Sequence, residues 1–419
     1  MGERPLFEYC SFLSRQTPIF LEFIHIITRL CRMSCYNKSK KPNVIPRDLR
    51  VPALLMGVMI VGANSFVLSP ILSNVAAGLD AYPAQVAWAI SAFGAATALS
   101  ALGFGKVIDR WPAGHVLGGG ALLLALAQAL SAMSSGWVWL CVSQAVAGLA
   151  TGVLLPGAYA TTAATAPEGR APARLGVVLT GWAISLVLAV PLAAFVAEHS
   201  GWRMVYALLS GASLLTAGCL FMTLPRARYA MSSPIGLVKA AKLPGVPTLL
   251  VIMFAYMAAF YGSFAFYGEG LRQAFAINAQ GAGLFVLAYG LGFGAAGIGL
   301  GLLAPRISRS YVLSIFVCLV LSYGGWRFVL TSPIPAFVAA IVWGGLNQLG
   351  LNALVVSLNR KAQAARGAVM GLNSAVTYSA VFAGPAIMGP VYTALGFAGV
   401  TIVAAISVSI GALLAWKNL

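Results

Sequence analysis

Twelve apolar stretches, each about as long as a membrane crossing requires, follow one another between Val51 and Trp416. They run at about 51–73, 84–105, 115–133, 137–162, 175–196, 203–224, 247–268, 281–304, 311–328, 335–357, 367–389 and 396–416. A bilayer core of about 30 Å takes roughly 20 apolar residues of helix, and only helices or closed barrels satisfy the backbone there. The runs are continuously apolar instead of alternating every second residue, so the pattern predicts helices and not barrel strands. The polar positions are as regular as the apolar ones. Of 26 Lys and Arg, 23 precede the first span, follow the last, or fall in even-numbered gaps; the odd gaps hold only Arg203, Arg272 and Arg327. Basic residues near span ends stay on the cytoplasmic side, so both termini are predicted to be cytoplasmic in a cell membrane, the inner one for a bacterial chain.

One internal gap is long. Residues 225–246 carry Arg226, Arg228, Lys239 and Lys242 with Pro234 and Pro244, and predict a cytoplasmic linker between two six-span halves, 51–224 and 247–419. Residues 1–50 form a basic extension. Its apolar stretch from Ile19 to Leu30 is short and broken by Glu22, His25 and Arg29, so it does not span. No small-residue cleavage site follows; the segment reads either as an amphipathic helix on the inner face or as an extension before a working start near Met33. The halves also match in detail. Gly105-Lys-Val-Ile-Asp109-Arg110 follows the second span, and Gly301-Leu-Leu-Ala-Pro305-Arg306 follows the eighth. Arg170 to Arg174 precedes a fifth span bearing Pro191; Arg360 to Arg366 precedes an eleventh bearing Pro385. Such internal repeats characterise secondary transporters.

These residues resemble the major facilitator superfamily. The Gly-x-x-x-Asp-Arg turn after the second span is similar to the family's signature loop, and Pro167-Glu168-Gly169-Arg170 through Arg174-Leu175-Gly176 to its loop between spans four and five. Gly201-Trp202-Arg203 after a proline-bearing fifth span is similar to bacterial drug and metabolite exporters of that family. The resemblance covers roughly residues 50–416. It implies an all-α fold of 12 transmembrane helices in two pseudo-symmetric six-helix bundles, with spans one, four, seven and ten lining a central cavity. It also implies a conformational latch, Gly105, Asp109 and Arg110, whose carboxylate caps the start of the eleventh span near Gly367. The chain departs from the family twice: the loop continues as Trp111-Pro112-Ala113-Gly114-His115, and Gln144 stands where exporters often carry an arginine.

Composition narrows the class. With 60% hydrophobic and 8% charged residues, against about 25% charged on average, a soluble globular chain is excluded. The formal charge of +17 reads as attraction to anionic lipid head groups, not to nucleic acid. Of six cysteines, Cys10, Cys31 and Cys35 lie in the extension and Cys141, Cys219 and Cys318 within spans, where a thiol acts as a small hydrophobe. Neither a metal site nor a cofactor is expected, and a monomer is.

Acidic residues are scarce, nine in all, and none falls near a predicted span midpoint. Proton handling must then use groups close to one surface, since a charge at the bilayer centre costs a few kcal/mol. Glu269 closes the predicted seventh span. It is the candidate proton site, with a solvated helix end paired with Arg272 as the favoured plainer reading. The pair Glu198 and His199 reads as an outer loop turn.

Polar side chains inside spans point to the solute, because each needs a partner or a water-filled cavity. The candidate cavity residues are Asn64, Gln144, Tyr256, Ser263, Asn347, Gln348, Asn352, Asn373 and Thr377. Gln348 and Asn352 share a helix face, as do Asn373 and Thr377, and Tyr256, Phe260, Ser263 and Tyr267 make a stripe at helical spacing. Individually such residues equally well bond helix to helix. As a set they predict an uncharged cavity for a neutral or weakly polar small molecule. The resemblance implies export of a drug or metabolite, driven by proton antiport. An uptake permease or uncoupled facilitator for a neutral nutrient is the alternative. An integral membrane enzyme would need paired carboxylates or a His-rich cluster, and three scattered histidines supply neither.

Overall fold

The computed structural model describes residues 49–103, 111–224, 236–303, 307–361 and 365–418, and among these every regular element is helical. Without water in the bilayer core, a continuous apolar segment can satisfy its backbone only by bonding within itself. Helix α1 is a bent pair, Arg50–Phe66 and Leu68–Gly78, inclined at 52° to each other. Then come α2 (Pro83–Gly103), α3 (Ala113–Ala132) and α4 (Trp137–Ala164). Helix α5 joins Ala171–Ile184 to Val190–Ser200 through a π-helical turn, Ser185–Ala189, and α6 is Trp202–Thr223.

A short helix, Leu237–Ala241, lies in the linker with Leu237 against Gly371. The second half comprises α7 (Val246–Phe275), α8 (Ala279–Leu303), α9 (Arg309–Val329) and α10 (Pro333–Lys361). A final run, Arg366–Asn418, is 53 residues long and would reach about 80 Å as one straight helix. Gly396 breaks it with φ 63° and ψ −164°, giving α11 (366–395) and α12 (397–418). Only glycine adopts that backbone without strain. The described residues therefore hold twelve crossings, an even number, with both ends of the set on one face. We call this the termini face and its opposite the far face.

Each irregularity has a local cause. Pro70 cannot donate to the carbonyl of Phe66, which is where α1 bends. Pro191 follows the π-turn of α5, and Pro385 and Pro390 lie inside α11. Some helices outrun their predicted spans. Helix α7 continues to Phe275, so Glu269 sits inside the helix and not at its end.

The duplication is visible at atomic detail. A Cβ on Gly148 would meet the Phe93 carbonyl oxygen at 2.3 Å and the Thr97 nitrogen at 3.0 Å; one on Gly344 would meet the Tyr289 oxygen at 2.0 Å and the Phe293 nitrogen at 3.0 Å. Residues 344, 289 and 293 stand at one common offset from 148, 93 and 97, so α4 crosses α2 as α10 crosses α8. Likewise Gly181 packs on Leu55 and Met59 as Gly384 packs on Ala258 and Gly262, again at one common offset. Lipid tails are as apolar as leucine, so helices associate through close packing, and these glycines permit it.

Gly148→Ala and Gly344→Ala should therefore each push a helix pair apart, at about 1–3 kcal/mol of overpacking. Gly119→Ala, with nothing within 4 Å of its added carbon, is the control. Thermal unfolding in detergent checks this: lower midpoints for the first two and none for the third are expected, and three equal midpoints contradict it.

Candidate functional site

The bend at Pro70 carries the far half of α1 onto α7. There one serine bridges the two halves of the molecule: the Ser69 hydroxyl donates to the Phe264 carbonyl and accepts from the Gly268 amide at 3.2 Å. One turn on, Ser73 donates to Glu269, whose other oxygen accepts from Gln273 at 3.0 Å. Arg272 donates to Asn74. Beside them Glu198, at the end of α5, accepts from the Ala279 amide at 3.1 Å and caps α8 in the opposite half. These hydrogen bonds join the two halves, and all of them lie toward the far face.

Glycine makes this approach feasible, since a Cβ on Gly268 would fall 2.3 Å from the Ser69 backbone carbonyl oxygen. Deeper in, aromatic rings fill the seam. Phe66 contacts Phe264, Tyr261 and Phe260 of α7 and Trp182 of α5, with ring centroids 5.0, 6.0, 6.1 and 5.8 Å away. Trp182 in turn donates to the Tyr159 hydroxyl at 2.8 Å. Phe93 of α2 meets Tyr378 of α11 at 6.4 Å.

Glu269 is thus not the solvated helix end that the sequence favoured, although Arg272 is close enough to act on its charge. It is 5% exposed, held by a hydroxyl and an amide, while Arg272 turns to Asn74 across the seam. The cause is the added length of α7, which draws the carboxylate below the surface. It is the one buried carboxylate among the described residues. Because a hydroxyl can donate or accept, Ser73 can partner either the carboxylate or the carboxylic acid. Glu198 and His199 serve separate roles, since His199 bonds and stacks on Phe195.

Asn64 and Gln144 are brought together inside the first half. Asn64 donates to Gln144 at 3.0 Å and accepts from Gln128 at 3.3 Å. Gln144 donates to Ser131 at 3.0 Å, and Ser213 donates to Gln128 at 2.6 Å. This buried network ties α1, α3, α4 and α6.

The second half arranges its amides differently. Tyr256 donates to the Asn347 backbone carbonyl at 2.5 Å, while the Asn347 side-chain amide has the Tyr289 hydroxyl beside it and makes no close hydrogen bond. Ser263 is buried with its hydroxyl 4.0 Å from Met388 sulfur. Gln348 and Asn352 line a cavity of about 400 Å³ with Gly297, Gly301, Val356 and Arg360. Its polar wall follows one face of α10 from the helix midpoint to Arg360 at the termini face. Asn373 and Thr377 lie on α11, outside this wall. Gly105, Asp109 and Arg110 fall outside the described residues.

Several residues of the seam and of the first-half network escaped the sequence. Gln128 carries the same signal as Gln144, an amide in an apolar span, but its helix was not among those expected to face the solute. Ser69 and Ser73, one turn apart on α1, formed a legible polar face. Phe66 and Trp182 gave no signal beyond ordinary apolar residues.

Adding one methyl at the seam tests the closure. In a cysteine-free background, Ser69→Cys should react slowly with a water-soluble maleimide, because residue 69 is buried. Gly268→Ala should raise that rate about tenfold, the overpacking at the seam favouring separation of the halves. An unchanged rate in the folded variant contradicts the assignment.

The match to known proteins agrees with this architecture. Residues 54–268 match the family model described as Major Facilitator Superfamily. The uncharacterized MFS-type transporter YwfA of Bacillus subtilis (strain 168) is 28% identical over 363 residues, 84% of this chain and 88% of that protein. Among solved structures, a bacterial homolog of the human lysosomal transporter Spinster, inward-facing and unoccupied, superposes with a TM-score of 0.73 at 14% identity. That alignment covers 90% of this chain and 98% of the other. The human organic anion transporter MFSD10 (TETRAN) gives 0.63 at 17% identity, over 88% of this chain and 100% of that one. At such identities these two structures speak for the fold alone. A helical chain crossing the membrane many times, built from two repeated halves and matched by the family model over half its length, is a membrane transporter: the chain belongs to the Major Facilitator Superfamily.

Proposed function

We propose that this protein exports a neutral or weakly polar small molecule by alternating access, in exchange for protons, with the termini face toward the cytoplasm. The observation that carries the reading is an asymmetry of the two faces. Among the described residues the hydrogen bonds seen between the halves lie at the far face, while the amide-lined cavity runs toward the termini face. That is the form expected of a carrier loaded from the cytoplasm. The clustering of basic residues at the termini and in alternate loops supports the orientation.

The deep cavity wall offers carboxamides and no charge; Arg360 stands at its mouth. An anionic solute would leave its charge without a partner there, and a cation likewise, at a cost the amides cannot offset. Of the cavity candidates, Gln348 and Asn352 stand at the wall, with Asn347, Asn373, Thr377, Tyr256 and Ser263 elsewhere in the second half, while Asn64 and Gln144 bond to each other within the first half and are not proposed to meet the solute. In the proposed cycle Glu269 is the proton site. Parting of α1 and α7 removes Ser73 from the carboxylate and exposes it to the far side, so that proton exchange and opening of that face go together. The latch of Gly105, Asp109 and Arg110 would hold the termini face when it closes in turn.

Purified protein screened by thermal stabilisation against neutral metabolites and antibiotics identifies the solute, and proteoliposomes with an entrapped pH dye then report both fluxes. Solute and proton should move in opposite directions. Glu269→Gln should retain exchange down a solute gradient and lose accumulation against one. Accumulation that survives full collapse of the proton gradient would overturn the coupling and favour a facilitator.

A further inference from the structure

The two halves, built on one pattern, treat their buried amides in opposite ways. In the first half every side-chain amide nitrogen and oxygen of Asn64, Gln128 and Gln144 has a protein partner. In the second half the side-chain oxygens of Gln348 and Asn373 are buried and unpartnered, and Asn347, 2% exposed, has only the Tyr289 hydroxyl beside its amide and makes no close hydrogen bond. A buried polar atom left unpaired costs about 1–3 kcal/mol. Of these residues Gln348, at the midpoint of α10, also lines a cavity, so a partner for its oxygen can come from what enters there.

The cavity is built to admit one. Gln348 and Asn352 stand one turn apart, about 5–6 Å between their Cβ atoms, and both line it. Opposite them α8 presents Gly297, where a Cβ would sit 3.3 Å from the Gln348 amide nitrogen, so glycine keeps that space. Arg360, two turns beyond Asn352, donates to the Ile307 carbonyl at 2.7 Å, which holds the one cation of this wall at the mouth.

We infer that the solute's hydrogen bonds are made by the second half, through Gln348 and Asn352, and that the solute presents an adjacent donor and acceptor. Neutral carboxamides, lactams and ureides carry such an edge. This rests on the transport reading above and narrows its substrate class. A side-chain carboxamide displays a donor and an acceptor in one plane, and its complement is another amide edge. A solute without that edge leaves the protein's amides buried and unpaired, which is the stronger basis for rejection. The first half's amides, already paired with one another, brace α1, α3, α4 and α6 and take no part in recognition.

Calorimetry and thermal stabilisation of the full-length protein, with a panel of neutral carboxamides, lactams and ureides beside matched esters and ketones lacking N–H, test this. Amide-edged compounds should stabilise the protein and their N–H-free counterparts should not. Gln348→Ala and Asn352→Ala should each raise Kd about tenfold with the unliganded Tm kept. Gln348→Met, close in volume, answers the same question if the alanine variant does not fold. Asn64→Ala and Gln144→Ala should lower the unliganded Tm and leave Kd within roughly twofold. Unchanged affinity in the variants of α10, or an equal loss in folded Asn64→Ala or Gln144→Ala, overturns the assignment to the second half. Equal stabilisation by the N–H-free compounds overturns the substrate class and leaves the transport reading standing. Failure of every neutral compound to bind overturns both.

Discussion

Lipid offers a polar group no partner, and the rest of this molecule follows from that constraint. Each backbone amide is satisfied within its own helix, which fixes twelve crossings where the sequence has twelve apolar runs. Each side-chain amide or carboxyl below the surface must then bond to the protein or face a space that water and solutes can enter. The first half meets the demand internally, in the network of Asn64, Gln128 and Gln144. The seam meets it between the halves, through Ser69, Ser73 and Glu269. The second half leaves it open beside a cavity. In lipid a single side-chain hydrogen bond averages only about 0.6 kcal/mol, so the seam joins the halves firmly enough to hold and weakly enough to part.

The mechanics follow from where the bend lies. Pro70 interrupts α1 one turn past Phe66, and the segment from Phe66 onward leans on α7. Hydrogen bonds across the seam are few, made by Ser69, Ser73, Asn74 and Glu198 to α7 and α8, and the rest of the seam is ring contacts and close packing of α2 on α11 and α5 on α8. Glycines at the seam and within each half place backbone against backbone with no side chain between, a surface suited to sliding. A rocking of two rigid halves therefore needs few bonds to exchange, and the carboxylate is among them.

The fold was largely legible in the sequence because the bilayer imposes a coarse rule on every residue of a span. Length, apolarity and the alternation of basic loops suffice to count the helices, and the repeated motifs flanking spans two and eight, five and eleven foretold the two halves. Helix ends were less legible, since α7 runs on past the predicted boundary at 268 and carries Glu269 inward with it. The candidate site was legible by residue type and not by partner. Sequence marked Asn64, Gln144, Gln348 and Asn352 alike as costly polar groups in lipid. Nothing in their spacing said that the first two would bond to each other, because that depends on Gln128 and Ser131 arriving from another helix. Phe66 and Trp182 were invisible, being ordinary apolar residues until the bend in α1 brings them together.

Paired spin labels would measure the central claim, that the halves meet at the far face and part at the termini face. One pair belongs at Tyr82 and Ala274, exposed near the far ends of α2 and α7; the other at Ala163 and Lys361, exposed at the termini ends of α4 and α10. In lipid nanodiscs without solute, the far pair should give a narrow distribution at short distance and the termini pair a longer one. Shifting pH or adding a stabilising solute should move the two means in opposite directions. A far pair that is broad and long at rest, or two distances that rise and fall together, would contradict the account.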